Sequence, residues 1–491
     1  MRASGLFLLQ CLLWVFGAAP SHADDPVPDD AAAAAAPTVL TLDGLLARVD
    51  DPGGPLEAAR GELAAYQALY DRAYWSWLPT LKLESLLAPL PERRLLEECA
   101  YNDPTLDPGL LRVGPCPGAR PSDDERIDAD TDIGILTRSR ATLTLPLYTF
   151  GKFSAGRRAA EGGLDVGRAT LEATQGQVSL MVKRAWYGAQ MTASALEILE
   201  DGRKRLQSAK RQIEKELADE TGRFTTNDLR KLLVKEAELE AGYLETRALS
   251  DYAWEGLRLA AGAPAGARLE LAEKALPDVH VVERNVDGWM TLAGAHRADV
   301  RLVDAGFRAR QGQVDLATAE FFPDIALVAA FGYAKGTSAM DNPDPFANDQ
   351  YNFLSWGFVV GAEWKLDFAA RIGKLREAEA NLSKLRGQRD ALRQKMRLEI
   401  VEELGMVRRY TAELESRRQA MKAGKGWLVS NTMNFGVGLA TTDELLDSLV
   451  AYSSARLSYF RTLFELNLAA ARLQNAVGVA VVMPAPKTNP Q

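Results

Sequence analysis

The chain is 491 residues long and carries a formal net charge of −8 at pH 7, which is long enough for several domains and gives no sign of a nucleic-acid partner. Its composition is otherwise ordinary, and its three cysteines and three histidines are too scattered to suggest a metal centre.

Residues 1–23 read as a cleaved export signal. Arg2 is the basic start, LFLLQCLLWVFGAA is the apolar core and SHA supplies the small residues at the cleavage site, so the mature chain is expected to begin near Asp24. Cys11 sits inside the apolar core, which argues against lipid attachment. An Ala/Pro-rich linker follows over residues 24–40. The two remaining cysteines, Cys99 and Cys116, share one Pro-rich polar stretch. In an exported protein they read as a disulfide, worth about 3 kcal/mol by the loop-entropy argument, or as two unpaired thiols in a loop. No later stretch offers about 18 consecutive apolar residues, so any membrane crossing would be made of strands.

From residue 41 the chain reads as helix, strand, loop, strand, very long helix, tight turn and long helix, and then repeats that order. The first repeat spans 41–262, with strands at 79–87 and 139–148 and a helix pair over 152–262. An equatorial linker covers 263–282. The second repeat spans 283–478, with strands at 323–332 and 357–368 and a helix pair over 369–477; a tail covers 479–491. Aligning Pro79 with Pro323 superposes Leu56 on Val300, Leu63 on Phe307, Trp77 on Phe321 and Leu81 on Ile325, and TTNDLRKLL from Thr225 matches TTDELLDSL from Thr441. These matches identify a duplicated unit. Apolar residues recur every seventh position along the helices: Leu171, Val178, Ala185, Thr192, Leu199, Leu206 and Ile213, then Ile400, Val407, Leu414, Met421, Leu428 and Phe435, then Leu445, Tyr452, Tyr459, Leu466 and Leu473. Such a sustained heptad predicts long helices wrapped laterally around one another.

The strands alternate. In FVVGAEWKLDF, Phe358, Val360, Ala362, Trp364, Leu366 and Phe368 share one parity, while Glu363, Lys365 and Asp367 fall on the other. Leu81 and Leu83 likewise alternate with Lys82 and Glu84, and Leu143, Leu145 and Leu147 with threonines. Successive side chains of a strand face opposite sides, so the pattern separates an apolar surrounding from a polar one. Aromatics gather at the helix-proximal end of all four strands: Trp75 and Trp77, Tyr148 and Phe150, Phe321 and Phe322, Trp364 and Phe368. That placement reads as an interfacial girdle. Four strands cannot close a barrel, and open edges are not tolerated in lipid. Copies must therefore share one cylinder, and three copies would leave a lumen that Lys82, Glu84, Glu363, Lys365 and Asp367 could line.

These features, with LPLYTFGK at the strand-to-helix junction and VGLATTDELLDSLVAYSSARLSYF after the second tip, resemble the TolC-like outer-membrane efflux proteins of Gram-negative bacteria. The resemblance runs from TLDGLLARV to ARLQNAVG. It implies an α+β membrane protein: a homotrimeric outer-membrane β-barrel, four strands per copy, continued into the periplasm by a long α-helical coiled-coil barrel. It also implies docking on a periplasmic adaptor and an inner-membrane pump or secretion transporter, with lipid around the barrel. By the same resemblance, Val437, Gly438 and Leu439, with Arg223, Phe224 and Thr225 in the first repeat, are the tips that meet the adaptor, and Glu444 and Asp447 form the narrow gate ring. The residues also permit a plainer account of the acids, because Thr441 followed by Glu444 is a capping box. Where the family often has a basic residue near the gate, this chain has Ala440.

No nucleotide loop, nucleophile with a neighbouring base or cofactor motif is found, so a passive exit duct is expected rather than an enzyme. The alternative is an extracytoplasmic coiled-coil scaffold without a pore. The acidic run SDDERIDADTD within 88–138 reads as a solvated loop.

Overall fold

The structure is a computed structural model that describes residues 38–50, 54–91, 98–102, 111–115, 133–219, 224–339 and 349–483. The export signal, the acidic run, Arg223 and the pairing of Cys99 with Cys116 lie outside the described residues.

The first repeat contains β1 (Thr38–Leu40), α1 (Leu42–Ala47), α2 (Gly54–Tyr74), β2 (Thr80–Pro91), a ribbon of β3 (Glu98–Asn102) and β4 (Leu111–Pro115), β5 (Ile133–Tyr148), α3 (Lys152–Ala218) and α4 (Thr226–Ala260). After β6 (Leu269–Leu271) and β7 (His280–Val281), the second holds α5 (Val286–His296), α6 (Ala298–Ala319), β8 (Asp324–Gly336), β9 (Phe353–Glu363), α7 (Phe368–Gly436) and α8 (Thr442–Val477), followed by β10 (Val482–Met483). The two short helices and the first long strand start at one constant offset between repeats, as Gly54 with Ala298 and Thr80 with Asp324 show. Those from the long helices onward share a second, as Lys152 with Phe368 and Thr226 with Thr442 show.

The strand boundaries differ from expectation. The first two strands run past 79–87 and 139–148 at their distal ends, and the connection 88–138 contains the β3–β4 ribbon rather than loop alone. The last strand is Phe353–Glu363 instead of 357–368. Its partner β8 begins at Asp324, directly after Pro323, which has no N–H to extend the ladder. Lys365 and Asp367 thus fall beyond the sheet, and Phe368 opens α7.

α3 and α7, with 67 and 69 residues, are each about 100 Å long. They run through two tiers: α2 and α6 flank them near the sheet, and α4 and α8 near the tips. The heptad residues are buried or half-buried throughout. In the upper tier α3 crosses α6 through reciprocal small residues: a Cβ on Gly162 would stand 2.4 Å from the Ala309 backbone N, and one on Gly312 would stand 2.5 Å from that of Ala159.

α8 ends where α6 begins, and Arg297 holds the joint. Its side chain is 10% exposed, its guanidinium meets Asp299 at 2.8 Å and Glu399 at 2.6 Å, and Nη1 donates to the Ala476 carbonyl at the end of α8 at 3.3 Å. A cation there satisfies free carbonyls and favours the negative helix end. Arg48 donates to Ala261 O at 3.2 Å at the end of α4 in the first repeat. Arg297→Ala is expected to cost about 2 kcal/mol, below the usual range for a broken buried pair because both carboxylates keep some water; a urea-unfolding series followed by circular dichroism checks it. Beside this joint, a polar cavity of about 580 Å³ is lined in part by Lys183, Glu403 and Arg472. Burial depresses the Lys183 ammonium pKa and raises that of the Glu403 carboxyl, the latter against the pull of Arg472.

The largest apolar core lies at this equator, around Trp186, Trp289, Leu257, Ile400, Leu466 and Leu473. Two buried amides tie the linker to it: Gln190 donates to Glu273 O and Ala275 O at 2.7 and 3.1 Å, and Asn467 donates to Pro277 O at 2.9 Å.

Candidate functional site

The four long strands form one antiparallel sheet in the order β2-β5-β8-β9, joining the repeats through β5 and β8. Its register decides which residues share a face. Leu81 lies opposite Leu143, Leu143 opposite Ala329 and Ala329 opposite Phe358. On the same face stand Leu83, Leu87, Ile135, Leu145, Leu327, Phe331, Tyr333, Leu354, Trp356 and Val360. The four apolar parities therefore merge into one continuous apolar surface. Phe358 is 72% exposed and Trp356 78%, so nothing among the described residues covers them. The opposite face carries Lys82, Glu84, Arg138, Arg140, Thr142, Thr144, Asp324 and Glu363, interspersed with Ala330, Gly332, Gly357 and Gly361.

At the helix-proximal end the girdle aromatics assemble. Phe150 stacks on Phe322 at 5.4 Å and meets Tyr148 edge-on at 4.7 Å, while Trp364 Nε1 donates to Phe321 O at 3.0 Å. Trp75 and Trp77 lie in a 3-10 turn before β2 and are exposed. Phe150 at φ 50° and Gly151 at φ 89° turn the chain from β5 into α3. Lys152 then bridges to the second repeat through Asp324 at 2.8 Å and Phe322 O at 3.0 Å. At the other end Trp356, Phe331 and Tyr333 add aromatics that the sequence reading did not count as a girdle.

Of the five expected lumen residues, Lys82 and Glu84 lie on the polar face and pair at 2.7 Å, and Glu363 ends β9 opposite Asp324. Lys365 sits past the strand, 3.5 Å from Glu363, and Asp367 precedes α7, bound to Arg371 at 2.5 Å. These last two therefore do not line the strand wall. Arg138, Arg140 and Asp324 are polar-face residues that the sequence reading passed over, because their partners lie on other strands.

At the tips, Thr225 and Thr441 each close a capping box, with Asp228 and Glu444 respectively. The Thr225 hydroxyl holds the Asp228 carboxyl below its usual range. Glu444 Oε2 accepts from Thr441 N at 2.8 Å. Asp447, one turn on, is exposed. Val437 and Leu439 are 72% and 79% exposed on either side of Gly438 at φ 85°. Phe224 departs from expectation: it is buried against Phe435 at 5.4 Å within a cluster that includes Leu232, Leu428 and Leu446, and so presents no surface. The two tips are linked by Lys231, whose Nζ donates to both Asp443 oxygens at 2.7 and 2.9 Å, a bond that raises the lysine pKa. Among the described residues, no helix is long and apolar enough to cross a membrane, and no cluster of ligating side chains could hold a metal.

Residues 289–479 match the outer membrane efflux protein family. The match covers nearly all of the second repeat. Solved structures extend the likeness in fold to about nine-tenths of the chain. CusC superposes with a TM-score of 0.69 at 15% identity, covering 89% of this chain and 92% of that one. The CmeC outer membrane channel of Campylobacter jejuni gives 0.70 at 12%, covering 90% and 86%. VceC of Vibrio cholerae gives 0.68 at 17%, covering 90% and 96%. A comparison with curated protein sequences gives no match. Outer membrane efflux proteins reside in the outer membrane of Gram-negative cells and extend into the periplasm. The family is one of efflux ducts and not of enzymes.

Proposed function

We propose that three copies join their four-stranded sheets edge to edge into a twelve-stranded barrel, the outer-membrane exit duct of a tripartite efflux or type I secretion system. The duct is passive, and an inner-membrane pump, reached through a periplasmic adaptor, drives transport. The observation that carries this reading is the sheet itself. One face is apolar across all four strands, and β2 and β9 remain unpaired edges among the described residues. Lipid tolerates neither unpaired backbone groups nor an open sheet, and more copies of the same sheet satisfy both demands.

The tips are the proposed adaptor contact, through Val437, Gly438, Leu439 and Thr225, with Phe224 as the packing beneath. The proposed gate ring consists of Glu444 and Asp447 from each copy. The capping box holds the Glu444 carboxylate against Thr441, so Asp447 is the acid of the ring that is free to turn toward a passing cation. Lys231–Asp443 takes the part of a latch between the tips, in a chain that has Ala440 where a basic residue was expected.

Planar-bilayer recording of the purified protein tests the reading. A trimer with cation-selective conductance, blocked by multivalent cations from the periplasmic side, is expected. Asp447→Asn should relieve most of the block, and Glu444→Gln, which preserves the capping geometry, a smaller part. A water-soluble elongated monomer with no conductance would instead identify a scaffold.

A further inference from the structure

The polar face of the sheet is electrically uneven along its length. At the helix-proximal end the acids are matched, Asp324 by Lys152 at 2.8 Å and Glu363 by Lys365 at 3.5 Å. Farther out the cations outnumber the acids. Glu84 lies directly opposite Arg140 and is already paired with Lys82 at 2.7 Å, so two cations share one carboxylate. Two residues along β5, on the same face, Arg138 adds a third cation. Its Nη2 donates to the neutral Gln350 carbonyl at 2.8 Å, and its buried Nε has no acceptor. Arg140 is exposed and, among the described residues, makes no ion pair. Level with Arg138 stand Ala334 and Phe353, and beyond it Leu136 and Leu90 continue the same face as apolar.

We propose that Arg138 and Arg140 form an anion-attracting belt in the outer half of the barrel, a local site that holds solutes bearing a carboxylate, phosphate or sulfonate once they have passed the cation-selective tip. The inference rests on the barrel reading above, since only a shared cylinder turns the polar face into a lumen. In that setting each copy contributes two unmatched positive charges to one level of a narrow, low-dielectric wall. Such a wall focuses the field of its charges into the water it encloses, and like charges on one ring reinforce one another. The belt lies at the opposite end of the duct from the acids of the tip. An anionic solute thus meets repulsion at the periplasmic gate and attraction in the barrel, which pulls it outward once the gate has opened.

Inorganic tripolyphosphate serves as the probe, added to the outer side of the full-length protein in planar bilayers. It is expected to block the wild-type current, and less strongly as salt is raised. Arg140→Gln should weaken the block, and Arg138→Gln with Arg140→Gln should weaken it by at least about tenfold. Among the described residues Arg140 makes no ion pair, so the single variant remains informative if the double one assembles poorly. A conducting wild-type channel that tripolyphosphate does not block, or equal block in Arg140→Gln, overturns the belt and leaves the duct standing. Protein that inserts but never conducts overturns the duct itself.

Discussion

Arginine in place of Phe358 is expected to abolish assembly in the outer membrane, while arginine at the next residue, Val359, is tolerated. The two positions share a strand and a height and are 72% and 59% exposed in the single chain. They differ in face alone. Phe358 lies opposite Ala329 in the apolar surface built from Leu81, Leu143 and their neighbours, midway between the girdle at Ile325 and the aromatics near Tyr333. A lipid-facing arginine at that depth costs about 2–4 kcal/mol, and a threefold assembly meets the cost in every copy. Val359 lies opposite Val328 on the face that also carries Glu84 and Arg140, where an arginine stays in water. The yield of heat-modifiable oligomer in outer-membrane fractions is the measurement. Equal loss from both substitutions, or from neither, would mean that the sheet does not separate lipid from water.

Gly162→Leu is expected to destabilise the upper tier by about 3 kcal/mol, the upper part of the usual range for overpacking. The atom that a side chain would strike at Gly162 is the backbone N of Ala309, not the mobile end of a side chain. The cost cannot be relieved by a change of rotamer; α3 and α6 must separate, and Gly312 against Ala159 leaves no slack on the other side of the crossing. Because α3 follows β5 directly through Phe150 and Gly151, a displaced α3 also pulls on an inner strand of the sheet. Gly156, on the same helix with open space around its missing Cβ, is the control: Gly156→Ala should leave the melting temperature unchanged or slightly raised. A Gly162→Leu protein that melts with the wild type would show that the crossing is looser than its geometry implies.

Much of this architecture was legible because it is periodic and local. Heptads from Leu171 to Ile213 and from Ile400 to Phe435 mark helix faces that need covering wherever the cover comes from, and the structure buries or half-buries every one. Thr225 and Thr441 announce helix starts because a capping box is closed within one turn. Strand parity showed that each ribbon has an apolar side, since alternation follows from the backbone alone.

What the chain's own order left open is which distant residues meet. Register is set between strands, so only the folded sheet reveals that β5 of one repeat pairs with β8 of the other and that Arg140 faces the already occupied Glu84. The end of β9 depends on Pro323 of the neighbouring strand, which is why Lys365 and Asp367 were placed on a wall they do not reach. Phe224 reads as an exposed tip residue until Phe435, from the other repeat, is packed against it, and Lys231 reads as a solvated lysine until α8 brings Asp443 within reach. By itself the sequence determined the elements, their duplication and their two-sidedness, because each is written within a few turns or one strand. Only the tertiary structure decided the pairings, because contacts between residues far apart depend on how whole elements dock and not on any local period.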